Sequence, residues 1–192
     1  MSDVEELSIA SIPVDYAPSA LPEPARLMDE LWTGLDWERR GATPRREYYV
    51  DPLGRPYAYG RGEGRRVYEP RASAPAIDAI WRAAEERAGC RFDVCFLNGY
   101  EDGSDQLGWH SDDSVEMDPA RPIAVASLGA EREIWFRPIS RRDARARLAL
   151  EAGSLCVMRP GMQTDFYHRI PKASRPCGPR VSLTFRGWTP GK

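Results

Sequence analysis

The sequence predicts a mainly β fold of the sandwich or barrel kind, α+β overall because two helices sit in its N-terminal half. Three observations predict it. From Arg91 onward the chain divides into seven short strand-like runs, at residues 92–100, 122–128, 131–138, 146–150, 153–158, 164–170 and 180–186. Turn signals separate them: Asp102-Gly103, Asp118-Pro119, Gly129, Gly153, Pro160-Gly161 and Gly178-Pro179. Helical periodicity is confined to residues 22–35 and 74–88, and there is no internal repeat. Many short strands at this spacing bury their apolar faces by stacking as two sheets or closing into a barrel.

Taken in order, residues 1–20 are irregular, with Ile9, Ile12 and Val14 offering a short edge strand. Residues 22–35 form a helix whose Leu27, Leu31 and Leu35 share one face, with prolines in its first turn, where their missing N–H is not needed. Trp37 follows as a core anchor, and residues 45–50 read as a strand. Residues 51–66 are rich in glycine, arginine and tyrosine and have no clear period. They are either a surface loop or a lid in which Tyr57 and Tyr59 share one side of an extended segment and could stack on a flat base. Residues 74–88 form an amphipathic helix, with Ile77, Ile80, Trp81 and Ala84 inward and Gly89 as its stop.

The chemistry-bearing stretch is residues 98–113, which contains His110 and Asp112. On an extended strand, residues i and i+2 point to the same side, so an imidazole and a carboxylate converge from a rigid backbone. That is two thirds of the facial triad that holds non-haem Fe(II) with positions left open. A second histidine is needed, and the chain has one other, His168. A lone His-x-Asp is common by chance, and the bland account is a surface histidine bonded to a nearby aspartate. The company it keeps is more telling. Asn98 and Tyr100 lie upstream, and in residues 180–186 Val181, Leu183 and Phe185 alternate with Arg180, Ser182, Thr184 and Arg186. This strand has one apolar face and one face with two arginines. Either those arginines face solvent, or they face a cavity that holds an anion such as a carboxylate, which the guanidinium fork matches.

The sequence resembles the AlkB family of Fe(II)- and 2-oxoglutarate-dependent dioxygenases, nearest the subgroup that reverses alkylation of nucleobases. The matching pieces are Asn98-Gly-Tyr100, Trp109-His-Ser-Asp-Asp113, Ile123-Ala-Val-Ala-Ser-Leu-Gly129, Gly153-Ser-Leu-Cys-Val-Met158, Tyr167-His-Arg-Ile-Pro171 and Arg180-Val-Ser-Leu-Thr-Phe-Arg186, in the family's order. A weaker match, Thr43-Pro-Arg-Arg46 with Tyr57-Ala-Tyr-Gly60, falls where the family has its substrate lid. The resemblance implies a double-stranded β-helix (jelly roll) braced by the N-terminal helices. It implies one dioxygenase domain over 1–192, with helices and lid in 1–90 and the jelly roll in 91–192. It implies Fe(II) on His110, Asp112 and His168, and 2-oxoglutarate bound through Arg180 at its far carboxylate, with Asn98, Tyr100, Ser182 and Arg186 nearby. Oxygen is the oxidant, and hydroxylation of an N-linked methyl group releases formaldehyde. Substrate contacts would come from Tyr57, Tyr59, Trp109, Asp113 and Ser114. Trp109 either flanks a bound base or packs.

Two departures stand out. Ser114 occupies the position where the repair enzymes carry an acidic residue that meets the exocyclic amino group of a damaged base, and Ser182 stands where they have asparagine. Residues 35–46 are too short for a long duplex-probing finger, so alkylated single strands of DNA or RNA fit better than duplex. The same chemistry on tRNA, a protein or a small metabolite is the alternative reading, and a catalytically silent jelly roll that binds nucleic acid is the third.

Composition bounds the rest. Over 192 residues the net charge is −2, which neither requires nor excludes nucleic acid. Basic clusters occur at Arg39, Arg40, Arg45 and Arg46, and at Arg61, Arg65 and Arg66, each either a solvated face or an anion contact. Cys90, Cys95, Cys156 and Cys177 form no Cys-x-x-Cys pair, which argues against cysteine-bound zinc. The acidic N-terminus lacks a signal pattern, and no apolar run is long enough for a bilayer. The expectation is a cytoplasmic monomer with reduced thiols.

Overall fold

The computed structural model describes residues 4–41, 43–59 and 65–191. In chain order the elements are β1 (Glu5–Glu6), a 3-10 turn (Ile9–Ser11), β2 (Val14–Ala17), α1 (Pro24–Gly34), β3 (Arg46–Val50), β4 (Tyr57–Tyr59) and β5 (Arg66–Tyr68). Then come α2 (Pro75–Ala88), β6 (Val94–Tyr100), β7 (Leu107–His110), β8 (Ile123–Gly129), β9 (Arg132–Pro138), β10 (Ala144–Leu150), β11 (Ser154–Met158), α3 (Met162–Asp165), β12 (Phe166–Ile170) and β13 (Arg180–Arg186).

The major sheet runs β2-β11-β8-β13-β6-β3 and the minor sheet β1-β10-β9-β12-β7. From β6 onward the chain crosses between them: β6 major, β7 minor, β8 major, β9 and β10 minor, β11 major, β12 minor, β13 major. This is the jelly roll, a double-stranded β-helix. Alternation decides its layers, because successive side chains leave a strand on opposite faces. On β13, Val181, Leu183 and Phe185 join Leu97, Ala126 and Leu155 under Leu31, Ile77 and Ile80 of the two helices. The other face of the major sheet supplies Tyr100, Val125, Cys156 and Met158 to a second core, which Ile134, Phe136, Leu150 and Ile170 of the minor sheet close. Fully burying one such Leu or Ile is worth about 1.5–3 kcal/mol. The polar residues of β6 and β13 are thus enclosed between the sheets.

Both helices begin with proline in the first turn, and α2 ends on Gly89 at φ 67°, whose N–H donates to the Glu85 carbonyl. Gly99 has a different reason to be glycine. A Cβ there would sit 3.1 Å from the Trp32 ring, so α1 and β6 approach each other only because the side chain is missing.

Several expectations change. The N-terminal segment places Val14–Ala17 on one sheet edge, antiparallel to β11, and Glu5–Glu6 on the other, parallel to β10, while Ile9 lies in the 3-10 turn. The stretch without period is a hairpin: β4 and β5 pair with Tyr57 opposite Tyr68, and these rings pack with Tyr49, Phe96 and Trp188. The aromatic packing supplies the order that periodicity did not signal. Gly60 and Arg61, in the lid and in the second basic cluster, lie outside the described residues.

Candidate active site

A β-bulge builds the centre of the site. In the pairing of β7 with β12, His110 faces His168 while Leu107 faces Ile170. Three steps on one strand match two on the other, so β7 carries an extra residue. Leu107 and His110 therefore both point inward, and Trp109 is turned to the outer face of the sheet. There Arg137 lies 4.6 Å and Arg169 5.4 Å from the Trp109 ring. Trp109 thus stands on the far side of the sheet from His110, packed against two guanidiniums and away from a base held at the His-Asp-His cluster. The strand also ends at His110, so Asp112 reaches the site from the loop beyond it.

His110, Asp112 and His168 offer ligand atoms that lie within 4.8 Å of one another. His168 Nε2 is 3.6 Å and His110 Nε2 3.8 Å from the Asp112 carboxylate. His110 Nδ1 lies 2.8 Å from the Gly108 carbonyl; donating there as N–H leaves Nε2 its lone pair. Burial holds His110 below its ordinary range and pushes His168 down to about 3, so both rings are neutral at physiological pH. For Asp112, burial would raise the carboxyl, but Arg186, His168 and His110 together keep it below its usual value. Neutral imidazoles and an ionised carboxylate are the donor states a divalent cation requires. The Asp112 backbone N–H is fixed by Gln163 Oε1 at 2.8 Å.

In the same layer between the sheets lies an anion cradle, whose Tyr100 shares a core cluster with Phe136, a ring 6.5 Å from His168. Arg180 is fully buried, and its Nε donates to Ser127 Oγ at 2.9 Å. Its Nη1 and Nη2 have no hydrogen-bond partner among the described residues, and neither has the buried Tyr100 hydroxyl. Tyr100 is directly across the strand pair from Arg180, and the guanidinium carbon is 5.1 Å from its ring. Burial lowers the Arg180 pKa to about 10, which still leaves it charged. An unpaired buried guanidinium is costly, and a carboxylate accepting from both Nη atoms and the hydroxyl would satisfy all three. Ser182 lies between Asn98 and Ser127 in register. Asn98 is already engaged, its Oδ1 accepting from Arg45 Nε at 2.6 Å.

The remaining expected residues divide. Arg186 donates to Asp112 Oδ1 at 2.6 Å and to the Tyr57 hydroxyl at 3.0 Å. Tyr57 also lies 2.7 Å from Ser114 Oγ and is only 3% exposed. It belongs to the wall of the site and is not a free stacking ring. Tyr59 is half-buried, and burial, followed by the Asp112 charge, pushes its phenol up to about 12. Asp113 and Ser114 line a cleft of about 580 Å³ that also touches Asp112, Arg186, Gln163 and Tyr167.

Sequence reasoning missed three contributors. Arg45, read as part of a basic cluster, holds Asn98 and pairs with the buried Glu47 at 2.8 Å. Ser127 orients Arg180, and Gln163 orients Asp112. The weaker Thr43-Pro-Arg-Arg46 match contained the signal for Arg45; nothing local marks Gln163.

A profile for the 2OG-Fe(II) oxygenase superfamily matches residues 34–186. The chain belongs to that superfamily. Within it the chain falls in the AlkB family. It is 38% identical over 130 residues to the mouse protein named DNA oxidative demethylase ALKBH2, covering 64% of this chain and 54% of that one. The human ALKBH2 match is 38% identical over 124 residues, 61% of this chain and 48% of that one. Mouse alpha-ketoglutarate-dependent dioxygenase alkB homolog 3 is 30% identical over 181 residues, 86% of this chain and 62% of that one. The chain spans about half the length of the ALKBH2 relatives it matches. The solved structure of OsALKBH1 superposes with a TM-score of 0.65 at 16% identity, covering 91% of this chain and 98% of that one, and so shares the fold. The cofactors of a 2OG-Fe(II) oxygenase are Fe(II), 2-oxoglutarate and O2, and the donor set and the orphaned guanidinium fit them. Among the described residues no helix is long and apolar enough to cross a membrane.

Proposed function

We propose that this AlkB-family protein is a dioxygenase that removes methyl or other alkyl groups oxidatively from nucleobases in DNA or RNA. The balance consumes 2-oxoglutarate and O2 and yields succinate, CO2, formaldehyde and the bare base. The observation that carries the reading is the buried Arg180 fork, left open in the enclosed layer that also holds the His-Asp-His cluster. When bound, Fe(II) with 2-oxoglutarate supplies the oxidation of a C–H bond. The chain's own residues do the rest. His110, Asp112 and His168 would hold the metal, and Arg180 with Tyr100 would grip a carboxylate of the cosubstrate. Arg186 keeps Asp112 ionised and ties it to Tyr57 and Ser114, which line the approach to the metal group. The cleft of about 580 Å³ is large enough for a flipped base.

The short connection between α1 and β3 supports single strands over duplex, and the reading retains a monomer. A second reading keeps the same oxidation but acts on tRNA, a protein or a small metabolite. Ser114, bonded to Tyr57 where an acidic residue would meet the base, favours it, as does the net charge of −2.

Turnover with Fe(II), 2-oxoglutarate and ascorbate on oligonucleotides carrying 1-methyladenine or 3-methylcytosine tests both. Loss of the methyl group with succinate, abolished in His110→Ala, is expected, with single strands preferred. Succinate without demethylation would move the search to the second reading. Neither product, from protein that binds iron, would leave a silent nucleic-acid binder. Light scattering checks the monomer.

A further inference from the structure

The outer face of the minor sheet carries aromatic rings and guanidiniums in alternation. Across the strands, Arg147 of β10 faces Trp135 of β9, which faces Arg169 of β12, which adjoins Trp109 of β7. The guanidinium carbons lie 5.7 and 5.2 Å from the Trp135 ring and 5.4 Å from the Trp109 ring. Beside this row, Arg137 pairs with Tyr167 and lies 4.6 Å from Trp109 and 5.6 Å from Tyr167. Tyr167 also lines the cleft next to Asp112. The face is therefore continuous with the site.

Its charge is only partly neutralised, by Glu6 and by Glu133, whose carboxylate accepts from the Trp135 indole N–H at 2.7 Å. Arg145 and Arg147 share Glu6, but Arg137 and Arg169 form no ion pair among the described residues, and the Nε of each is buried without a hydrogen-bond partner. Arg145 and Arg169 both stand over the Trp135 ring, at 4.6 and 5.2 Å, so like charges are held close together. Cation–π contact offsets part of that repulsion. A polyanion would offset more, and rings that guanidiniums hold in place suit stacking by bases of any sequence.

Resting on the nucleic-acid reading above, we propose that this face is a track for the single strand flanking the target base. Bases lie on Trp135, Trp109 and Tyr167, and phosphates meet Arg147, Arg169 and Arg137. The row spans three strand spacings, roughly 14 Å, which is the reach of two or three nucleotides.

The test is fluorescence anisotropy of an unmodified single-stranded DNA oligonucleotide with the full chain, over a range of salt. The variants are Trp135→Thr with Arg137→Gln, Arg137→Gln alone in case the double variant does not fold, and Arg137→Lys. In the double variant Kd should rise about tenfold or more, the loss of one stacked base. In Arg137→Gln the slope of log K against log salt should fall by about 0.7, one phosphate contact. Arg137→Lys should keep the slope, and demethylation of a methylated mononucleotide, which has no flanking strand, should be unchanged in all. Affinity and slope unaltered in every variant would mean the ladder only packs the sheet, and a wild-type protein that ignores the strand would overturn the track outright. Strand binding lost in the variants, from a protein that demethylates nothing, would retain the track and remove the demethylation reading.

Discussion

Arg186 Nη2 lies 2.6 Å from Asp112 Oδ1, so the carboxylate of the His-Asp-His group is already ion-paired from the opposite sheet. Asp112 would otherwise be raised by burial; Arg186 is the largest opposing influence. A metal needs the ionised form, and a lowered pKa keeps that form available as pH falls. In Arg186→Met burial acts with less opposition, so the carboxyl rises and metal binding is lost at a higher pH. Removing one partner of a buried pair also costs about 3–5 kcal/mol, and Arg186→Lys is the milder variant. Titrating Mn(II) at stepped pH should show the midpoint displaced upward in Arg186→Met and less so in Arg186→Lys, which keeps the charge; a midpoint unchanged in Arg186→Met would refute the link.

Arg180 makes a second, opposite trade. Its Nη atoms are buried without partners, so it burdens the folded protein until an anion arrives. Arg180→Met should weaken 2-oxoglutarate binding by about 2–5 kcal/mol, as for other buried charge pairs truncated on one side. Without 2-oxoglutarate the same variant should melt no lower than wild type, because an uncompensated charge has been replaced by an apolar chain. Calorimetric titration and thermal melts check the two halves, and a lower melting temperature with affinity intact would contradict both.

Gln163 accepts from the Asp112 N–H and lines the cleft beside it. Gln163→Leu should lower metal affinity by about 10- to 100-fold, as loss of an outer hydrogen bond to a ligand does elsewhere. Affinity should fall without a change in the succinate formed per bound metal. An equal loss in Gln163→Glu and Gln163→Leu would point to packing rather than to the oriented oxygen.

Gly99 lets Trp32 of α1 lie against β6, with 3.1 Å to the position of a Cβ and 3.4 Å to Trp37 and to Cβ of Arg46. Gly99→Ala should destabilise by about 1–3 kcal/mol through overpacking. For a chain of this size each kcal/mol lowers Tm by about 2–4 °C. An unchanged melting temperature would show that the helix yields freely.

Much of this was legible along the chain. The alternation in residues 180–186 named the two arginines and the face opposite them, because a period of two is a local property. The helix faces at Leu27, Leu31, Ile77 and Ile80 and the stop at Gly89 were equally local. So was the pairing of residue types, two histidines and one aspartate, that suits a hard, partly open metal site.

Other features depended on residues far apart in sequence. The bulge in β7, which turns Trp109 outward and His110 inward, exists only through pairing with β12. Tyr57 read as a mobile stacking ring because its partners Ser114, Arg186, Phe96 and Trp188 lie 39 or more positions away. The Arg-Trp ladder draws its rows from four strands, and a period of two shows each residue's face but not which strand comes alongside. The sequence by itself determined the periodicities, the turns and the donor types, since these act within a few residues. Only the tertiary structure decided which donors meet, which charges stay unpaired and which rings are covered, because burial and ion pairing depend on distances that the path between strands sets.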